Sequence, residues 1–118
     1  MTTGVVQVTF MAADEQQAQA VVDGLVADGL VACGQVSGPV RSTYRWQGSV
    51  ERSMEWRAVL KTTAARSPEV VSRIRSGHPD EVPEVLVTAV VGGDPDYLGW
   101  VVDECTPATG PDGGGPGA

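Results

Sequence analysis

Apolar and polar residues alternate through Val5-Val6-Gln7-Val8-Thr9-Phe10, which puts Val6, Val8 and Phe10 on one face and predicts a half-buried strand. Asp14 follows as an N-cap. Ala18, Val21, Val22, Leu25, Val26 and Leu30 then recur at helical spacing, and Gly29 is the expected stop of that helix. Beyond Ala32 the pattern returns to period two. Val40, Tyr44 and Trp46 share one face and Arg41, Thr43 and Arg45 the other, with Gly38-Pro39 marking a bend or bulge ahead of them. After a Gln47-Gly48-Ser49 turn, Met54, Trp56, Ala58 and Leu60 alternate with Glu55, Arg57, Val59 and Lys61. Two long strands joined by a glycine turn form a hairpin longer than a sheet of this size needs. Its free edges call for a cover, and a partner subunit is the usual one, so the pattern predicts an oligomer.

Ser67 as N-cap and Pro68 at the first helical position open a second helix with Val70, Val71 and Ile74 inward, ending near Gly77-His78-Pro79. Val85 to Val91 is an unbroken, β-branched apolar run, which predicts a strand covered on both faces in the middle of a sheet. Asp94-Pro95 opens a short third helix with Tyr97, Leu98, Val101 and Val102 facing inward. The order is strand, helix, strand, strand, helix, strand, helix. It predicts an α+β fold, a ferredoxin-like split βαβ subunit with an antiparallel sheet and both main helices on one face. Residues 1–105 make one domain, and the Gly/Pro-rich stretch 106–118 is expected to be disordered.

Composition narrows the functional classes. The 118 residues suffice for one hydrophobic core, with 42% hydrophobic and 19% charged residues. Fifteen acidic against eight basic residues leave a net charge of -7, with no basic cluster, which argues against nucleic acid and anionic membrane as partners. The sequence shows neither a signal-type apolar core nor a membrane span, so a cytoplasmic protein is expected. Cys33 and Cys105 are far apart and form no zinc-type spacing, and a structural disulfide is not expected in that compartment.

Candidate chemistry gathers at His78-Pro79-Asp80-Glu81-Val82-Pro83-Glu84, a rigid polar entry to the apolar run that holds the only histidine and three carboxylates. Two readings of His78 stand side by side: a ligand or proton carrier, and a plain helix stop. Lys61 ends an apolar stretch, either as an anion-binding or acid–base group or as the partner of Glu51, Glu55 or Glu84 in a salt bridge. Tyr44, Trp46, Trp56 and Trp100 are read as sheet core or interface, or as pocket walls. Cys33 reads as a packed, inert thiol, Cys105 as incidental and Tyr97 as a packing residue. No nucleophile elbow, P-loop or dinucleotide fingerprint occurs.

Several stretches in order resemble the CutA divalent-cation tolerance family: Leu30-Val31-Ala32-Cys33, Ser42-Thr43-Tyr44-Arg45-Trp46-Gln47-Gly48 with Val50-Glu51, and Leu60-Lys61-Thr62-Thr63. The likeness continues through His78-Pro79, Glu81-Val82-Pro83-Glu84 and Gly93-Asp94-Pro95-Asp96-Tyr97-Leu98-Gly99-Trp100. It implies a ferredoxin-like homotrimer with hairpins extending sheets across subunits, and a role in tolerance of copper or other divalent cations. Departures from the family pattern are Phe10 and Gly77 at positions held by metal ligands in the copper-binding member, Asp80 in place of a tyrosine, and Gln35 in place of an asparagine. Only His78 remains as a metal ligand for Cu²⁺ or another divalent cation.

The resulting expectation is a binding protein rather than a conventional enzyme. Its ligand pocket at subunit junctions is drawn from Tyr44, Trp46, Glu51, Lys61, His78 and Glu84. One alternative is an enzyme on the same scaffold, with His78, Lys61, Glu84, Asp80 and Tyr44 as the acid–base set of an intersubunit site acting on a small polar substrate. A second alternative is a structural trimer that anchors partner proteins on its hairpin edges.

Overall fold

A computed structural model describes residues 3–107. The elements run β1 (Val5–Ala12), α1 (Glu15–Ala27), β2 (Cys33–Trp46), β3 (Ser49–Thr63), α2 (Ser67–Gly77), β4 (Val85–Ala89) and α3 (Pro95–Cys105). The four strands form one antiparallel sheet in the order β2-β3-β1-β4. The predicted α+β architecture is therefore the observed one.

Alternation along β1 decides which layer each helix joins. Val6, Val8, Phe10 and Ala12 point to one face and pack against Ala18, Val22 and Leu25 of α1 and Val70 and Ile74 of α2. Val5 points the other way and packs with Val101 and Cys105, so α3 lies on the opposite face at one end of the sheet. Thr62 is fully buried on the side of α1, and its hydroxyl donates to the Leu30 carbonyl at 2.7 Å, tying the α1–β2 connection to the sheet. Asp14 caps α1 as expected, its Oδ1 accepting the Gln17 N–H at 2.7 Å.

The hairpin is built as predicted. Gln47 and Gly48 both take positive φ, 50° and 83°, the pairing a two-residue hairpin turn demands. Ser37 pairs with Arg57 and Val40 with Glu55, so β2 carries one extra residue at Gly38-Pro39. That bulge reverses the facing of β2. Gly34 and Val36 sit on the helix-covered face with Leu60 and Ala58, whereas Tyr44 and Trp46 sit on the face of Glu51 and Glu55. A side chain at Gly38 would collide with Trp56, its Cβ 2.7 Å from Cε3. Because β1 stops opposite Trp56, the hairpin from Val40 to Glu55 pairs only with itself and projects from the domain.

Four expectations are corrected. The apolar run is not a central strand. β4 pairs only with β1, forms a sheet edge, and leaves Leu86 54% and Val87 45% exposed. An apolar run signals that burial is wanted without saying what supplies it, and among the described residues no strand pairs with this edge. Ser67 is the first residue of α2 and not its cap. Arg66 holds the cap position without a side-chain bond, and the Ser67 hydroxyl donates to the Ala64 carbonyl at 2.9 Å. Val26 is exposed, because the buried stripe of α1 is narrower than the apolar one. Tyr97 is exposed while Val101 is buried, because α3 meets the sheet on one narrow side. The expected disorder of the tail concerns residues 106–118, of which 108–118 lie outside the described residues; Thr106 bonds back to the Val102 carbonyl at 2.6 Å.

Candidate functional site

The projecting hairpin and the segment between α2 and β4 enclose a cleft of about 610 Å³. One side is Tyr44, Arg45 and Trp46 of β2 with Glu55 of β3. The other is Asp80, Glu81, Val82, Pro83 and Glu84. Two local features position these walls. The bulge at Gly38-Pro39 turns the two aromatic residues off the helix-covered face. The opposite segment bends at residues 80–82 between Pro79 and Pro83, and His78 has the extended backbone that a following proline favours, φ -89° and ψ 132°.

His78 does not open onto the cleft. Its side chain is only 4% exposed, and both ring nitrogens are engaged by backbone. With the proton on Nε2, the ring donates to the Met11 carbonyl at 2.7 Å and accepts the Asp80 N–H at Nδ1 at 3.0 Å. The β1–β4 ladder ends at the Phe10–Val85 pair, so the imidazole takes over as donor to β1 one residue further on. The Asp80 carboxylate stands 3.9 Å from Nδ1. The geometry makes His78 a latch that holds the cleft wall to the sheet, and the ligand reading of its nitrogens gives way to this one.

Lys61 lies elsewhere. It pairs with Gln7 on one side and Cys33 on the other, on the sheet face opposite α1 and α2, and its Nζ donates to the Gln35 side-chain oxygen. Gln7 and Met11 are four residues apart on β1, so Lys61 and His78 are separated by about 13 Å along the strand. Among the described residues no carboxylate pairs with Lys61, which corrects the salt-bridge reading. Of the expected pocket, the cleft brings together Tyr44, Trp46 and Glu84, with Asp80 beside them, and leaves out Glu51, Lys61 and His78. Arg45 and Glu55 enter it unforeseen. The alternation of the hairpin could have placed Glu55 once the parity change at the bulge was known, whereas Arg45 alternates away from Tyr44 and Trp46 and has no such signal.

The cysteines also differ from expectation. Cys33 is half-buried, and its Sγ lies 3.3 Å from the Tyr97 hydroxyl. That hydrogen bond, with burial and the charge of a Cys33 thiolate adding to it, pushes the Tyr97 phenol up to about 12. A raised phenol means the contact stabilises the fold below pH 10 and is lost as pH rises from 10 to 12. Cys33→Ala is therefore expected to bring the Tyr97 titration back down towards 10, read as phenolate absorbance, and an unmoved titration contradicts the assignment. Cys105 is no incidental residue. As the last residue of α3 it is 1% exposed, and burial pushes its thiol up. Trp56 packs against the core, and Trp100 is exposed with its ring 5.7 Å from Tyr97.

Within one subunit a resident metal ion does not fit these residues. Among those described, no three His, Cys, Asp or Glu side chains converge on a point, and the single imidazole is already bonded at both nitrogens.

The profile of a family described as CutA1 divalent ion tolerance protein matches residues 5–104. A "Divalent-cation tolerance protein CutA" of Escherichia coli O45:K1 is 38% identical over 100 residues, covering 85% of this chain and 88% of that one. The crystal structure of CutA from Xylella fastidiosa superposes with a TM-score of 0.84 at 31% identity, covering 87% of this chain and 99% of that chain. The divalent cation tolerance protein of Thermus thermophilus gives 0.83 at 29% identity, with 86% and 99% covered. The protein of Archaeoglobus fulgidus, which carries the description periplasmic, shares the fold at 20% identity and a TM-score of 0.83, with 86% of this chain and 99% of that chain covered.

Proposed function

This chain belongs to the CutA1 divalent ion tolerance family, and from that premise we propose that it acts in divalent-cation tolerance as a homotrimer whose subunits meet around the hairpin cleft, which is the ligand site. The observation that carries the proposal is the projecting hairpin. Between Val40 and Glu55 no third strand lies beside it among the described residues, and Tyr44, Trp46, Val50 and Met54 are exposed. β4 offers a complementary need, an unpaired edge with Leu86 and Val87 bare. Strand edges and apolar side chains left open in one chain are normally closed by another, and rotational symmetry lets one kind of contact close all of them.

In this reading the cleft is a junction site with Tyr44 and Trp46 as walls and Asp80 and Glu84 as acceptors, while His78 fixes the wall. An acid–base enzyme that joins His78 to Lys61 needs groups that one subunit holds about 13 Å apart along β1. Within one subunit the two therefore cannot act on the same atom. No helix among the described residues is long and apolar enough to cross a membrane.

Native mass spectrometry or light scattering tests the assembly. Three chains of 12.3 kDa give about 37 kDa. A particle of 12.3 kDa refutes the trimer and the shared cleft with it.

A further inference from the structure

The two sides of the cleft differ in chemistry. Tyr44 and Trp46 are two residues apart on β2 and project to the same side, about 7 Å from one another along the strand. In the single chain they are 44% and 39% exposed, so both rings line the junction where subunits are proposed to meet and neither belongs to the core. The other side supplies Asp80, Glu81 and Glu84, while Glu55 of β3 adds a fourth carboxylate on the aromatic side, and Arg45 is the one cation of the lining among the described residues. Among the described residues Glu55, Glu81 and Glu84 take part in no ion pair. Val82 and Pro83 add apolar surface between the carboxylates.

We infer that this cleft takes a small organic cation, an alkylammonium or guanidinium compound, held between the aromatic rings of Tyr44 and Trp46 and the carboxylates of the 80–84 segment. The inference rests on the reading of the cleft as a ligand site and names what enters it. An aromatic face attracts a cation through its quadrupole, and carboxylates accept charge-assisted hydrogen bonds from N–H donors, so both sides serve the same ligand. A bare divalent ion gains little from the rings and needs oxygens converging at about 2–2.6 Å, a convergence absent among the described residues. Nucleotides meet four carboxylates against one guanidinium, the wrong sign for phosphate. A volume of about 610 Å³ suits an extended molecule whose methylenes lie on Val82 and Pro83.

Spermidine is the probe, titrated calorimetrically into the full chain at fixed ionic strength, with the native mass taken on the same sample. Saturable binding is expected, about tenfold weaker in Glu84→Gln and in Trp46→Leu, with no heat from ATP. Equal affinity in the wild type and both variants, or full displacement of spermidine by Mg²⁺ at matched ionic strength, overturns the inference, since either marks a loose counterion. The mass keeps the two readings apart. A trimer that ignores spermidine refutes the organic cation alone. A monomer refutes the assembly, and the same two variants still decide whether the cleft binds the probe.

Discussion

Gly34→Val is expected to destabilise the protein by about 3 kcal/mol and to lower its Tm by about 10 °C or more at fixed protein concentration. Gly34 pairs with Leu60 on the face that receives α1. A Cβ there would lie 2.6 Å from Leu60 Cδ2 and 2.6 Å from Val22 Cγ1. Both neighbours are branched, and both are buried, at 0% and 3% exposure. Neither can swing aside without displacing α1 from the sheet, and β2 is held in place by its ladder to β3 on either side of the glycine. Three added carbons must therefore push helix and sheet apart.

Gly24 is the internal control. It lies in the last turn of α1 with nothing within 4 Å of where a Cβ would be. Gly24→Ala removes backbone freedom from the unfolded chain at no steric cost and is expected to raise stability by about 0.5–1 kcal/mol. Thermal unfolding of the three proteins side by side is the measurement. A Gly34→Val protein that melts within about 2 °C of wild type would show that α1 does not press on β2 as described.

His78→Ala is the second large effect, about 2–3 kcal/mol. The substitution removes a ring with a 4% exposed side chain, strips the Met11 carbonyl of its donor and releases the Asp80 amide. These losses fall on the segment that forms one side of the cleft, so the consequence is local as well as global. Hydrogen exchange of the Asp80 amide is expected to speed up far more than that of the α1 amides, and stability by denaturant unfolding is expected to fall. If both stay as in the wild type, His78 is not the latch. His78→Gln, whose side-chain amide can still donate towards Met11, is expected to recover part of the loss.

The two residues differ in how far their roles can be read from the chain. Gly34 sits in a stretch with few local signals, and its role as a spacer between α1 and β3 exists only once those elements are packed. His78 stands out as the sole histidine among carboxylates, and of its two readings the plain helix stop is the nearer one. α2 does end at Gly77, and the His78 N–H does return to the Arg75 carbonyl at 3.2 Å. The ring's attachment to Met11, far off along the chain, has no signature at all in the residues around it.

Local physics determined the elements. Alternation set β1 and the hairpin, helical spacing set α1 and α2, Asp14 and Asp94 set two helix starts, and Gly48 set the turn. These signals reside within a few residues of each other, and their order is enough to imply the α+β sheet with two helices on one face. The tertiary structure alone decided the rest: that β4 is an edge, that α3 crosses to the other face, that Lys61 and His78 stand apart, and that Tyr44, Trp46 and Glu55 face the 80–84 segment across a cleft. Each of these depends on register between distant strands. One extra residue at Gly38-Pro39 exchanges the two faces of everything beyond it, and a period of two cannot reveal which face is which until the strand beside it is in place.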